Sequence, residues 1–162
     1  MQKVLFFSIE SCIMYLGTKS RFQEEKTMVK LIIGARGSGK TKNLIEQVNA
    51  AAAVTKGSVI CVEYGNTLNF DVTYKARLVD TTAFGIESAD ALYGFIAGLA
   101  ASDHDITDIF VDAALKICKS DMAGVASVVS RVRKLSDTYG FNFVMTVSAP
   151  LEDCTEEMRS LV

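Results

Sequence analysis

The stretch Gly34-Ala35-Arg36-Gly37-Ser38-Gly39-Lys40-Thr41 narrows what this chain can fold into more than any other. It follows the short apolar run Val29–Ile33. It precedes a segment in which Leu44, Ile45, Val48, Ala51 and Ala52 recur at helical spacing. An apolar run of that length, ended by glycine, predicts a buried strand; the recurrence predicts a helix with one apolar face. Strand, glycine-rich turn and helix in that order make half of a crossover unit and imply a parallel sheet.

The rest of the chain repeats the alternation. Ser58–Glu63 reads as a second strand, closed by a turn at Gly65-Asn66, and Ala76–Asp80 as a weaker, edge-type strand. Ser88 is placed to cap a helix with Asp90 in its first turn and an apolar stripe of Ala91, Leu92, Phe95, Ile96 and Leu99. Gly94 and Gly98 in that helix predict close packing on the sheet. Residues 106–112 form the next strand. Asp121 is placed to cap a long helix carrying Val125, Val128, Val129, Val132 and Leu135 on one face, with Gly140 at its end. Residues 141–147 are a last strand, before a charged tail with room for one short helix. The expected fold is α/β, with a mainly parallel sheet of about five strands and right-handed crossovers. Ligands of such sheets sit outside the carboxyl ends of the strands, where the glycine loop, Glu63, Asp112 and Ser148 all fall. Five strands leave little chain after Val147 to cover the edge beside the first strand, and an uncovered edge predicts a homo-oligomer or a protein partner.

Residues 1–27 read differently. Their apolar stretch is broken by Glu10, lacks a small-residue cleavage site and is too short to span a bilayer. Met28-Val29-Lys30-Leu31 has the character of a chain start. Gln23-Glu24-Glu25 just upstream is encodable as CAG-GAG-GAA, which contains a bacterial ribosome-binding sequence. The expectation is an N-terminal extension over residues 1–27, a translated upstream leader or disordered segment, ahead of a single α/β domain over residues 28–162. The rival expectation is a strand at residues 4–9 that joins the sheet.

A chain of 162 residues with net charge −2 offers no general attraction to nucleic acid or an anionic membrane, and neither is expected as a partner. Cys12, Cys61, Cys118 and Cys154 show no paired spacing, and His104, the single histidine, sits in a polar stretch. Buried thiols of a cytoplasmic protein are expected rather than a zinc set, with His104 on a loop.

The spacing of glycine, four residues, then Gly39-Lys40-Thr41 is built for phosphate. Glycines let main-chain N–H groups approach phosphate oxygens, and the helix beginning near Gly39 adds its N-terminal dipole. Gly34, Ala35, Arg36, Gly37, Ser38, Gly39, Lys40 and Thr41 are therefore the candidate nucleotide-binding residues. Lys40 supplies a point charge to the β- and γ-phosphates and Thr41 a hydroxyl ligand to Mg²⁺. Asp112, a carboxylate directly after an apolar strand, is the second candidate metal residue; Asp108 is the alternative but falls within or before the strand.

From residue 31 to residue 112 the chain resembles the P-loop NTPases, with Gly34, Gly39, Lys40 and Thr41 in the Walker A pattern and Asp112 in the Walker B position. Residues 28–162 resemble more closely a group of small bacterial P-loop ATP-binding proteins, common in Firmicutes and sometimes labelled twitching-motility proteins. The likeness lies in residues 31–41, in Asp90-Ala91-Leu92-Tyr93-Gly94-Phe95-Ile96-Ala97-Gly98 and in Asp105-Ile106-Thr107-Asp108-Ile109-Phe110-Val111-Asp112. The resemblance implies a three-layer sandwich, ATP and Mg²⁺ as ligands, and nucleotide binding.

Hydrolysis needs a group that orients water. Many P-loop ATPases carry a glutamate directly after the Walker B aspartate; here the residue is Ala113. RecA-like ATPases are similar in placing their glutamate where Glu63 stands, so Glu63 and Lys40 are the candidate catalytic residues. Thr146 or Ser148 is a candidate sensor of the γ-phosphate, and Arg131, Arg133 or Lys134 a candidate finger or partner contact. Three functions stay open: a small Mg²⁺-dependent ATPase acting as a switch or assembly subunit, a nucleotide or nucleoside kinase, and an ATP-sensing module that does not turn over. No guanine-reading NKxD motif is present.

Overall fold

A computed structural model describes residues 28–162. The readings made for residues 1–27, the leader and the strand at 4–9, lie outside the described residues.

Five strands form one parallel sheet: β1 (Val29–Ile33), β2 (Ser58–Glu63), β3 (Ala76–Asp80), β4 (Ile106–Val111) and β5 (Asn142–Val147), in the order β1-β5-β4-β2-β3. The helices are α1 (Lys40–Val54), α2 (Ala89–Ser102), the single turn α3 (Ala114–Ile117), α4 (Met122–Tyr139) and a short α5 (Glu156–Arg159). Every strand is parallel to its neighbours because each pair consecutive in sequence is joined by a crossover rather than a hairpin.

Side chains alternate across the sheet, so each strand feeds two apolar layers. Val59, Cys61, Phe110 and Val144 pack with Leu44, Val48 and Ala52 of α1. Ile60, Val62, Ile109, Val111, Phe143 and Met145 pack with Leu92 and Ile96 of α2 and Val125, Val128, Val129 and Val132 of α4. Strands buried on both faces read as continuous apolar runs, which is why β2 and β5 were visible without alternation. Burying each Leu, Ile or Val side chain contributes about 1.5–3 kcal/mol, so these layers carry most of the favourable energy.

The caps are the ones the sequence announces. Ser88 Oγ accepts from the Ala91 N–H at the start of α2, Asp121 accepts from the Gly124 N–H at the start of α4, and Gly140, with φ 78°, closes α4 in the left-handed conformation. His104 is exposed on a turn, and Cys61, Cys118 and Cys154 are buried free thiols. β3 pairs only with β2, as an edge strand should.

Two expectations change. The edge beside β1 is partly covered: the Leu31 N–H donates to the Leu161 carbonyl at 2.7 Å, and Met158 and Leu161 of the tail are buried in the core. Gly94 and Gly98 do not pack on the sheet. Both face outward on α2, and a Cβ on either would meet nothing within 4 Å. A glycine that space does require is Gly57, where a Cβ would run into the Asp105 carbonyl oxygen and come 2.6 Å from Thr107 Cγ2. At that point the entry of β2 bonds the chain leading to β4, through the Ser58 N–H and the Asp105 carbonyl at 2.8 Å.

Among the described residues no helix is long and apolar enough to cross a membrane.

These environments give opposite expectations for one substitution. Gly57→Ala destabilises by about 1–3 kcal/mol through overpacking. Gly94→Ala and Gly98→Ala each stabilise by about 0.5–1 kcal/mol through helix propensity. Urea unfolding of the three variants checks this; destabilisation by Gly94→Ala would contradict the outward placement.

Candidate functional site

Because the strands are parallel, the ends of β1, β5, β4 and β2 open on the same side. The register sets Ile33 beside Val147 and Val111 beside Met145, and the ladder continues past the strand ends with Gly34 N–H to the Val147 carbonyl (3.2 Å) and Asp112 N–H to the Val62 carbonyl (2.8 Å). The loop after β1, Ser148, Asp112 and Glu63 therefore line up along one rim.

The loop of residues 34–39 folds back on itself. Gly37 and Gly39 take φ of 82° and 81°, a region that costs other L-residues roughly 1–2 kcal/mol. A Cβ at either would meet nothing within 4 Å, so their glycines answer to backbone conformation and not to space. Gly34 answers to space: a Cβ there would lie 2.8 Å from Ser38 Oγ. The Asn43 N–H bonds the Gly39 carbonyl at 3.0 Å, so α1 starts directly from the loop. Lys40, 8% exposed, curls over it and donates from Nζ to the Ala35 carbonyl at 2.7 Å and to Ser38 Oγ at 3.3 Å. Burial lowers the Lys40 pKa from its ordinary value and the Asp112 charge raises it, burial being the larger effect. Its ammonium is thus short of negative charge, a deficit that an arriving anion relieves.

Asp112 is the junction of the rim. Its carboxylate accepts from Thr41 Oγ1 at 3.1 and 3.2 Å, across 71 residues of sequence, and from Thr146 Oγ1 at 2.7 Å. Thr146 in turn accepts from the Ala113 N–H at 2.8 Å. Ala113 needs that support, since its φ of 56° is a left-handed conformation that costs an alanine on the order of 1–3 kcal/mol. One β5 hydroxyl so holds both the carboxylate and the strained turn that follows it. Asp108 is far from this rim, inside β4, where it accepts from Asn142 Nδ2 at 2.9 Å.

A cleft of about 580 Å³ opens over these groups, lined by Arg36, Gly37, Gly39, Lys40, Thr41 and Lys42 on one side and by Asp112, Ala113, Leu115, Lys116 and Ser120 on the other, with Thr146 and Ser148 at the base. Four cations against one carboxylate suit a polyanion. Among the described residues no three His, Cys, Asp or Glu gather as a metal-holding set. A divalent ion here would rest on Thr41 and Asp112 and complete its shell from ligand oxygens and water, as Mg²⁺ does. The oxygen donors fit such an ion, and the Thr41–Asp112 hydrogen bonds bring both to one point.

Glu63 stands at the rim but turns from the cleft. It is 1% exposed, and its Oε2 accepts from the N–H groups of Thr67 (2.6 Å) and Leu68 (2.9 Å). Its Oε1 is buried without a hydrogen-bond partner among the described residues. Cys61 senses both acids: burial first, then the charges of Asp112 and Glu63, push its thiol up to about 12. Arg131 is occupied on the far side of the sheet, stacked 3.6 Å over the Tyr93 ring and paired to Asp90 at 2.7 Å, and Arg133 lies 3.7 Å from Glu157. Neither lines the cleft.

No family model and no curated protein matches the sequence. The geometry alone therefore speaks for the site. Sequence reasoning missed Lys116 and Ser120; the helix-forming run Ala113-Ala114-Leu115-Lys116 directly after Asp112 is the available signal.

Replacing Thr146 by valine strands the Ala113 N–H and removes a donor from Asp112. Thr146→Val lowers stability by about 1–3 kcal/mol in urea unfolding, and Thr146→Ser restores most of it. A valine variant as stable as the parent would show that the hydroxyl does not hold the turn.

Proposed function

We propose that the chain is a P-loop NTPase, a three-layer sandwich that holds Mg·ATP in this cleft and hydrolyses it slowly as a switch or assembly subunit. The supporting observation is the meeting of Thr41 and Asp112 above a loop whose two left-handed glycines and curled lysine leave main-chain N–H groups for a ligand. A buried core has no use for that combination. A polyphosphate does.

In this reading the amides of Gly37, Gly39, Lys40 and Thr41 at the start of α1 hold the β-phosphate, and the Ser38 N–H joins them by leaving the Ala35 carbonyl. Lys40 leaves the Ala35 carbonyl for the β- and γ-phosphates. Thr41 and Asp112 hold Mg²⁺, which neutralises charge on the β- and γ-oxygens when bound. Thr146 keeps Asp112 oriented, and Ser148 at the cleft base faces the bound phosphates.

Hydrolysis requires a base for water. Glu63 is the acid next to Asp112 along the rim, and its unpartnered Oε1 is an acceptor that a water would satisfy. Two observations favour the second reading, a sensor without turnover: Glu63 Oε2 already holds the 67–68 backbone, and Ala113 occupies the other place for a catalytic carboxylate.

Phosphate release and nucleotide binding, measured together, decide between them. Lys40→Ala weakens Mg·ATP binding roughly 10- to 100-fold, the worth of a charge-assisted contact. Glu63→Gln keeps an oxygen for the 67–68 N–H groups; it binds as the parent does and releases phosphate about 10²- to 10⁴-fold more slowly. Parent protein that binds without releasing phosphate is the sensor. Lys40→Ala protein that binds as well as the parent contradicts the site itself.

A further inference from the structure

Lys116 lines the cleft on the side facing the glycine loop, and the P-loop reading gives it no task. Its position is set by the fold. Ala114 and Ile117 of α3 are wholly buried, and this turns Leu115 and Lys116 outward toward the cleft. The turn is held at both ends, by the bond from the Ile117 N–H to the Ala113 carbonyl (3.2 Å) and that from the Ser120 N–H to the Leu115 carbonyl (2.7 Å). Lys116 is exposed and forms no salt bridge with any described residue. Lys119, three residues on, differs: it is paired to Glu87 at 2.6 Å and does not line the cleft.

Which part of a polyphosphate Lys116 meets follows from what precedes it. α3 begins two residues after Asp112, the carboxylate that marks the metal position with Thr41. A metal held by Thr41 and Asp112 would neutralise charge on the outer phosphates of a nucleoside triphosphate. The α1 start and the loop amides hold the β side, leaving the wall built by α3 to the terminal phosphate. Arg36 and Lys42 stand on the loop side and cannot make this distinction.

We propose that Lys116 binds the terminal phosphate and makes the site selective for a nucleoside triphosphate over the diphosphate. This rests on the phosphate-site reading above. It gives the site a cation in cis where other arrangements need one from a partner, and Arg131 and Arg133 are engaged elsewhere.

Calorimetric titration with Mg·ATP and Mg·ADP tests it on the parent, Lys116→Gln, Lys116→Arg and Lys119→Gln. The expected result is a roughly tenfold or greater loss of ATP affinity in Lys116→Gln, with ADP affinity within about twofold. Lys116→Arg retains the preference, and Lys119→Gln behaves as the parent. Equal weakening for both nucleotides, or for neither, overturns the proposal while the phosphate site stands. Equal losses in Lys119→Gln overturn it too, by reducing the effect to general charge. A parent that takes up neither nucleotide overturns the phosphate-site reading, and this proposal falls with it.

Discussion

The hydrogen bonds that converge on Asp112 join parts of the chain that are remote in sequence. Thr41 comes from the first turn of α1 and Thr146 from β5, whose hydroxyl also accepts from the Ala113 N–H in the turn that opens α3. The carboxylate is 7% exposed, and burying such a group is unfavourable unless its oxygens are satisfied. Two hydroxyls satisfy them. Their cost is a fixed distance between β1's loop and β4's end, spanned by the intervening strand β5. That interposed strand is what makes the cleft wide enough for a ligand between loop and α3.

The sheet does the rest of the positioning through ordinary packing. Two apolar layers of similar character lock the strand ends in register, so the rim has little freedom to spread. Three of the four non-glycine residues with positive φ among the described residues, Ala113, Lys119 and Ser120, lie on the segment after Asp112 that bounds the cleft, and Gly37 and Gly39 adopt it on the facing loop. Non-glycine residues in that region are held only when the surroundings over-determine them. Here the Thr146 hydroxyl and the buried side chains of Ala114 and Ile117 do so.

Most of the fold was legible because its signals are local. Apolar runs marked β1 and β2 to the residue, and Ser88, Asp121 and Gly140 marked helix ends by hydrogen-bonding chemistry that needs no tertiary context. The glycine loop and Asp112 were legible for the same reason, as a turn and a strand end. What failed depended on neighbours remote in sequence. Gly94 and Gly98 carry a spacing that suggests close contact, but only the rotation of α2 decides which way they face. The tail's bond to Leu31 lies 130 residues away in sequence, beyond any periodicity. Glu63 was rightly placed at a strand end, yet its side chain follows the N–H groups of Thr67 and Leu68, which no spacing reveals. Lys116 owes its place to the burial of Ala114 and Ile117, which its own neighbours in sequence do not reveal.

The proposed phosphate contacts are made by main-chain amides, whose resonances report them directly. In ¹H–¹⁵N correlation spectra of uniformly labelled protein titrated with Mg·ATP, the largest shifts are expected at Gly37, Ser38, Gly39, Lys40 and Thr41, with Ala113 following through Thr146 and Asp112. Saturating Mg·ATP that leaves those amides in place, or moves a different surface instead, would contradict the proposed contacts.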